Sequence, residues 1–346
     1  MERIKEAYLY NRLTDDRVRC QACHHYCEIQ PGRQGLCRVR ENRSGTLVSL
    51  VYDKVVAASV DPIEKKPIFH LKPGSTSFSI ATMGCNLKCR FCQNADIAHP
   101  KTLGVERRAP YLAGRPFSPE DIVDQAQAHG CDSIAYTYTE PSVFFELALD
   151  TARLARSRGL YNIFVTNGFM SPALIEMVAP VLDAANVDLK AFTDSFYKTY
   201  CSARIEPVKD TLRLMKANGI MVEVTTLVIP GLNDDASELA QAAEFIANDL
   251  GPETPWHLSR FHPAYKLQDL GLTPESTLQM ACEVGENAGL QYVYTGNVRG
   301  ARENTYCPCC RAVVVQRHGY HVSNRLTPNG GCPECGTRLY GIYESL

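Results

Sequence analysis

The chain has 346 residues, 45% of them apolar and 21% charged, with a formal net charge of −2. No apolar run reaches the roughly 18 residues of a membrane span, and the charged start Met1-Glu2-Arg3-Ile4-Lys5-Glu6 has no apolar signal core, so a cytoplasmic chain that crosses no membrane is expected. Charge is +4 over residues 1–73 and +3 over 297–346, leaving −9 for the middle; an acidic centre argues against a partner of duplex DNA.

The 15 cysteines are odd in number, and all but Cys131, Cys201 and Cys282 fall in clusters. Clustered thiols in a long chain without a secretory start favour metals over disulfides. The first cluster is Cys20-x2-Cys23-x3-Cys27-x9-Cys37. Structural zinc is the preferred reading, an auxiliary iron–sulfur cluster for electron transfer is the alternative, and His24 and His25 are alternate ligands. This cysteine-rich module is expected to span residues 1–73 and to end near Lys72-Pro73-Gly74-Ser75.

From residue 74 to 296 strand and helix patterns alternate. Strand-like runs are Phe78–Thr82, Ser133–Tyr138, Tyr161–Thr166, Ala185–Leu189, Met221–Ile229, Trp256–Arg260 and Gln291–Tyr294. Between them Pro119–His129 reads as a helix capped by Ser118 with Asp121 in the capping-box position. Ser142–Arg158, Ala236–Asn248 and Pro274–Ala288 keep apolar residues on one helical face, with Thr273 as the cap of the last. The alternation predicts an α/β fold of βαβ units, six or so, curling into a partial parallel barrel.

Directly after the first of these strands stands Met83-Gly84-Cys85-Asn86-Leu87-Lys88-Cys89-Arg90-Phe91-Cys92-Gln93-Asn94. Three thiolates at C-x3-C-x2-C spacing hold three corners of a four-iron cluster and leave one iron open for a substrate, unlike a ferredoxin, where every iron has a cysteine. The competing reading is a structural zinc with a distant fourth ligand.

Past a second boundary near Gly296–Gly300, residues 297–346 carry Cys307-Pro308-Cys309-Cys310 and Cys332-Pro333-Glu334-Cys335-Gly336. Cys307, Cys310, Cys332 and Cys335 form the two C-x2-C knuckles of a zinc ribbon, with rubredoxin-like iron as competitor and Cys309 left over. The module has six Arg and no Lys, and Arg forks suit phosphate, which raises the alternative of an RNA-modifying enzyme that docks RNA here.

The central loop resembles the radical SAM superfamily, whose signature C-x3-C-x-aromatic-C places Phe91 in the aromatic slot. Tyr138-Thr139-Glu140-Pro141, Thr166-Asn167-Gly168, Asp188-Leu189-Lys190, Val228-Ile229-Pro230-Gly231 and Arg260-Phe261-His262-Pro263 follow in an order similar to pyruvate formate-lyase activating enzyme and its relatives. The segment Asp61-Pro62-Ile63-Glu64-Lys65-Lys66-Pro67 and the terminal cysteines resemble, more narrowly, the radical SAM member of the AmmeMemoRadiSam system.

That resemblance implies a [4Fe-4S] cluster on Cys85, Cys89 and Cys92. It also implies S-adenosylmethionine (SAM), cleaved reductively to a 5′-deoxyadenosyl radical that abstracts hydrogen from a substrate. By the same resemblance Glu140 meets the SAM ammonium, Thr166 and Asn167 line its carboxylate or ribose side, Asp188 and Lys190 contact SAM or substrate, Val228 lies under adenine and His262 meets the ribose. It implies an electron donor of flavodoxin or ferredoxin type, a protein substrate as in glycyl-radical activation, and AMMECR-type and Memo-type proteins as partners.

Overall fold

A computed structural model describes residues 4–100, 112–298, 302–344 and 346. Its centre is one sheet laid down in chain order: β1 Lys54–Pro62, β2 Thr76–Thr82, β3 Ser133–Tyr136, β4 Tyr161–Thr166, β5 Ala184–Asp188, β6 Met221–Val228, β7 Trp256–Arg260 and β8 Val293–Gly296. Strands β2 to β8 are all parallel to their neighbours. Helices α1 Pro119–Ala128, α2 Phe145–Ser157, α3 Pro172–Val178, α4 Glu206–Ala217, α5 Ala236–Phe245 and α6 Glu275–Asn287 make the crossovers. The result is six strand–helix units and a seventh parallel strand, a partial barrel whose consecutive strands are spatial neighbours.

Local chemistry explains the elements. In β2, Phe78 and Ile80 alternate with Ser77 and Ser79, all buried, and Phe78 packs on Phe117 and His129 on the helical side. The serines therefore face the opposite side of the sheet, where their small size leaves room. Helix α1 begins with the expected reciprocal capping box between Ser118 and Asp121. Helix α6 departs from expectation. Its N-cap is Pro274, and Thr273 instead accepts from Phe261 N (2.8 Å) and donates to the Val228 carbonyl (2.6 Å), stitching β6 to the turn after β7.

The sheet starts before residue 74. Strand β1 pairs antiparallel with β2 from Pro62 opposite Thr76 to Val55 opposite Thr82, and the two-residue strand Arg115–Pro116 pairs with its other edge. At the second expected boundary, residues 299–301 lie outside the described residues.

The two cysteine-rich ends dock at opposite ends of the sheet. The N-terminal segment, two small three-stranded sheets before β1, meets the carboxyl end of β4: Cys23 bridges Met170, and Ser171 N donates to Ala22 O at 3.3 Å. Arg40, 2% exposed, reaches both oxygens of the fully buried Glu146 of α2 at 2.9 Å. The C-terminal sheet, Thr305–Tyr306, Val313–His318 and His321–Asn324, meets the amino ends of the strands. Tyr340 Oη accepts from Val222 N and donates to Val222 O (2.9 and 3.2 Å) at the start of β6, and Tyr161, the first residue of β4, donates to Glu344 O.

The segment 61–67 ties these parts together. Asp61 accepts from Lys65 (2.7 Å), Lys66 (2.6 Å) and Tyr138 Oη. Glu64 accepts from Gly74 N (2.9 Å) and faces Arg317 of the C-terminal sheet at 3.5 Å, both side chains buried. Arg317 also lies over the Phe69 ring and donates to Phe69 O at 2.9 Å.

Candidate functional site

The central cysteine loop leaves the carboxyl end of β2, where parallel barrels place their sites. Gly84 has φ +104°, and a Cβ there would stand 2.6 Å from Val39 Cγ1 of the N-terminal module, so this turn requires glycine. Backbone bonds fix the loop on three sides: Gly84 N to Ile97 O, Lys88 N to Cys201 O and Arg90 N to Tyr200 O, each 2.9 Å. Cys89 is buried, and Cys85 and Cys92 are half-buried. Phe91 is buried against Phe196, and its ring lies 5.8 Å from Lys190 Nζ.

Hydrogen bonds converge on the Cys85 sulfur. Leu87 N donates to it at 3.4 Å and Asn167 Nδ2 at 3.7 Å, while Asn167 Nδ2 also reaches Asn86 Oδ1 at 2.8 Å. Burial of Cys85 pushes its thiol pKa up, and the nearby Glu140 carboxylate adds to this. The two N–H donors suit a sulfur that carries negative charge.

Glu140 is fully buried and its acceptors are taken by the chain itself. Ser142 N donates at 3.2 Å, Thr166 Oγ1 at 2.9 and 3.1 Å to the two oxygens, and Asn167 N at 2.9 Å. Burial raises its pKa, and these bonds pull it back. Glu140 thus holds Thr166 and Asn167 in place, and Asn167 in turn holds Cys85.

Across the loop, β5 ends at Asp188, and Lys190 returns from the following turn to pair with it at 2.8 Å. Burial opposes the lysine's charge, yet Asp188 and the neighbouring Cys89 and Cys201 sulfurs raise its pKa well above the ordinary value. A cation is thereby fixed beside Cys89, which suits an anionic cluster.

The other sequence candidates stand apart from this network. Val228 is fully buried at the end of β6, its carbonyl taken by Thr273. His262 is exposed in the turn after β7. Sequence reasoning missed Asn94, whose Nδ2 donates to Tyr138 O at 2.7 Å, and the strained Tyr138 itself, at φ +62°. An open cleft of about 540 Å³ runs beside Asn94, Ile97, Tyr138, Arg115 and the middle of β1, Val56 to Ser59.

At the far end of the sheet, the Cys307, Cys310, Cys332 and Cys335 sulfurs all lie within 4.8 Å of one another, with Cys307–Cys335 and Cys310–Cys332 at 3.6 Å. A tetrahedral site with Zn–S bonds of about 2.3 Å requires sulfurs about 3.8 Å apart, so these residues fit zinc. Hydrogen bonds from Thr337 bring Cys335 down to about 6, which favours the thiolate. Cys309 is exposed and outside the group.

Residues 79–246 match the model of the Radical SAM superfamily. An uncharacterized protein of Methanocaldococcus jannaschii is 42% identical over 339 residues, covering 97% of this chain and 99% of its own length. A second protein of that organism, which carries the name of a glycyl-radical enzyme activating enzyme, is 23% identical over 182 residues, 50% of this chain and 64% of its own. Among solved structures, Streptococcus suis SuiB bound to S-adenosylmethionine superposes with a TM-score of 0.50 at 12% identity, covering 66% of this chain and 52% of that one.

Proposed function

The chain belongs to the radical SAM superfamily, and from that premise we propose that it cleaves SAM at Cys85, Cys89 and Cys92 and takes hydrogen from a protein substrate, in the manner of glycyl-radical activation. When bound, a [4Fe-4S] cluster with one iron free of cysteine supplies the electron that splits SAM into methionine and a 5′-deoxyadenosyl radical.

The chain's own residues supply the setting. Leu87 N and Asn167 Nδ2 hold the Cys85 sulfur, and Lys190 offsets negative charge at Cys89. Phe91 walls the loop from water. Asp188, 38% exposed on its side chain, keeps acceptor capacity beyond its bond to Lys190 and is the carboxylate assigned to the SAM or substrate side. Glu140 and Thr166 act as positioning residues behind Asn167. In this reading Val228 and His262 approach adenine and ribose as the resemblance implies. The cleft between Asn94, Tyr138 and β1 receives a polypeptide segment.

The observation that carries this reading is the donor set around Cys85, built for a thiolate at a barrel mouth. An electron donor of flavodoxin or ferredoxin type is required, and partners of AMMECR and Memo type are the expected company. The RNA-modifying alternative has less support, because the Arg-bearing C-terminal module packs at the amino ends of the strands, across the sheet from the cysteine loop. Anaerobically loaded, dithionite-reduced protein incubated with SAM should release 5′-deoxyadenosine, and Cys89→Ala should abolish it. A fully loaded sample that releases none refutes the proposal.

A further inference from the structure

We propose that Cys20, Cys23, Cys27 and Cys37 hold an auxiliary iron–sulfur cluster of four irons, not zinc, and that Asn86 forms the wall between it and the central cysteine triplet.

All four N-terminal cysteines line one small cavity, together with Arg40 and Asn86. Their spacing differs from that of the C-terminal group. Among the described residues, the sulfurs that gather within 4.8 Å are those of Cys307, Cys310, Cys332 and Cys335; the N-terminal four form no such group, and neither do Cys85, Cys89 and Cys92. One ion at the centre of a tetrahedron draws its thiolates to about 3.8 Å, whereas thiolates on the outer corners of an iron–sulfur cube stand much farther apart. The N-terminal set therefore matches the central triplet and not the zinc ribbon.

The lining chemistry agrees. The buried Arg40 guanidinium also lines the cavity, and its Nε has no hydrogen-bond partner even though its other nitrogens bind Glu146.

Position gives the site its use. Asn86 lines this cavity and is the residue after Cys85; its carbonyl meets His25 Nε2 at 2.8 Å, and its side chain meets Asn167. With clusters held by Cys20, Cys23, Cys27 and Cys37 and by Cys85, Cys89 and Cys92, an electron delivered by an external carrier of the flavodoxin or ferredoxin class would pass from the first set to the second across Asn86, the carrier being oxidised and the central site reduced. This relay rests on the reading of Cys85, Cys89 and Cys92 given above; the metal assignment does not.

The test is metal content with EPR on the full chain loaded anaerobically with iron and sulfide. About eight irons and about one zinc per chain are expected. A Cys85→Ala/Cys89→Ala/Cys92→Ala variant should keep about half the iron, with a dithionite-induced signal indifferent to SAM. A Cys27→Ser/Cys37→Ser variant should also lose half, keeping the SAM-sensitive signal. Two zincs per chain, with iron absent from the first variant or undiminished in the second, overturn the proposal. If the first variant does not fold, the second decides alone. A SAM-insensitive central signal with full iron would instead count against the proposed function.

Discussion

The side-chain amide of Asn167 donates to the Cys85 sulfur, while its backbone N–H donates to Glu140 Oε2 at 2.9 Å. One residue thus links a buried carboxylate after one strand to the thiol, after another, that is proposed to ligate the central cluster. Asn167→Ala should remove a donor that stabilises the more negative, reduced state of the metal site. The midpoint potential of the central cluster should become more negative, read by EPR-monitored redox titration, with stability reduced by about 1 kcal/mol. An unchanged potential would detach Asn167 from the site.

Glu140→Ala leaves the Ser142 and Asn167 amides and the Thr166 hydroxyl without their buried acceptor. The expected cost is about 3 kcal/mol or more, since each unmet buried donor costs about 1–3 kcal/mol. Glu140→Gln keeps one oxygen and should cost less. Chemical denaturation of the two variants orders them, and a cost under 1 kcal/mol for the alanine would contradict a positioning role.

Asp61 supplies a pH dependence. Burial alone would raise its pKa, but hydrogen bonds from Lys65, Lys66 and Tyr138 outweigh it and hold the carboxyl well below its ordinary 3.8. The stability it contributes is fully present above pH 3.8 and is lost as pH falls toward the depressed folded-state value. Burial pushes Lys66 down to about 8 despite Asp61, so its share grows as pH rises from about 8 toward 10.5. Asp61→Asn should cost about 3–5 kcal/mol at neutral pH, because Lys66 is left buried and unpaired, and should flatten the acid limb of Tm against pH. A parallel acid limb in the variant would exclude this origin.

The C-terminal thiols make a separate prediction. Cys332→Ser should release about one zinc per chain and loosen residues 302–344 to proteolysis while iron content stays constant. Loss of iron together with zinc would show that the metal sites do not load independently.

The parts of this molecule written in local sequence were legible there. The C-x3-C-x2-C loop, the Ser118–Asp121 capping box and the seven parallel strands depend on residues a few positions apart. What escaped depends on distant partners. Strand β1 mixes buried and exposed residues without clean alternation, so nothing local marks it as part of the sheet. Thr273 looked like a cap because it precedes a helix, yet it is claimed by Val228, 45 positions away. Nothing near Glu140 in sequence revealed Thr166, 26 positions away, and Asn167, 27 away, as its hydrogen-bond partners. The C-x2-C spacing did separate Cys310 from Cys309, and the sulfurs that converge are those of Cys307, Cys310, Cys332 and Cys335.

The short stretch around Glu64 works as a keystone. Through Gly74 and Arg317 it braces the floor of the molecule, and through Asp61 and Tyr138 it braces the rim. Cutting the chain down to residues 74–296 would remove that brace along with the sheet's first strand, and would bare Tyr292 and Tyr294, which are 3% and 2% exposed in the intact chain. The terminal modules are thus masonry of the arch rather than detachable ornaments, and a trimmed core should be recovered as insoluble material.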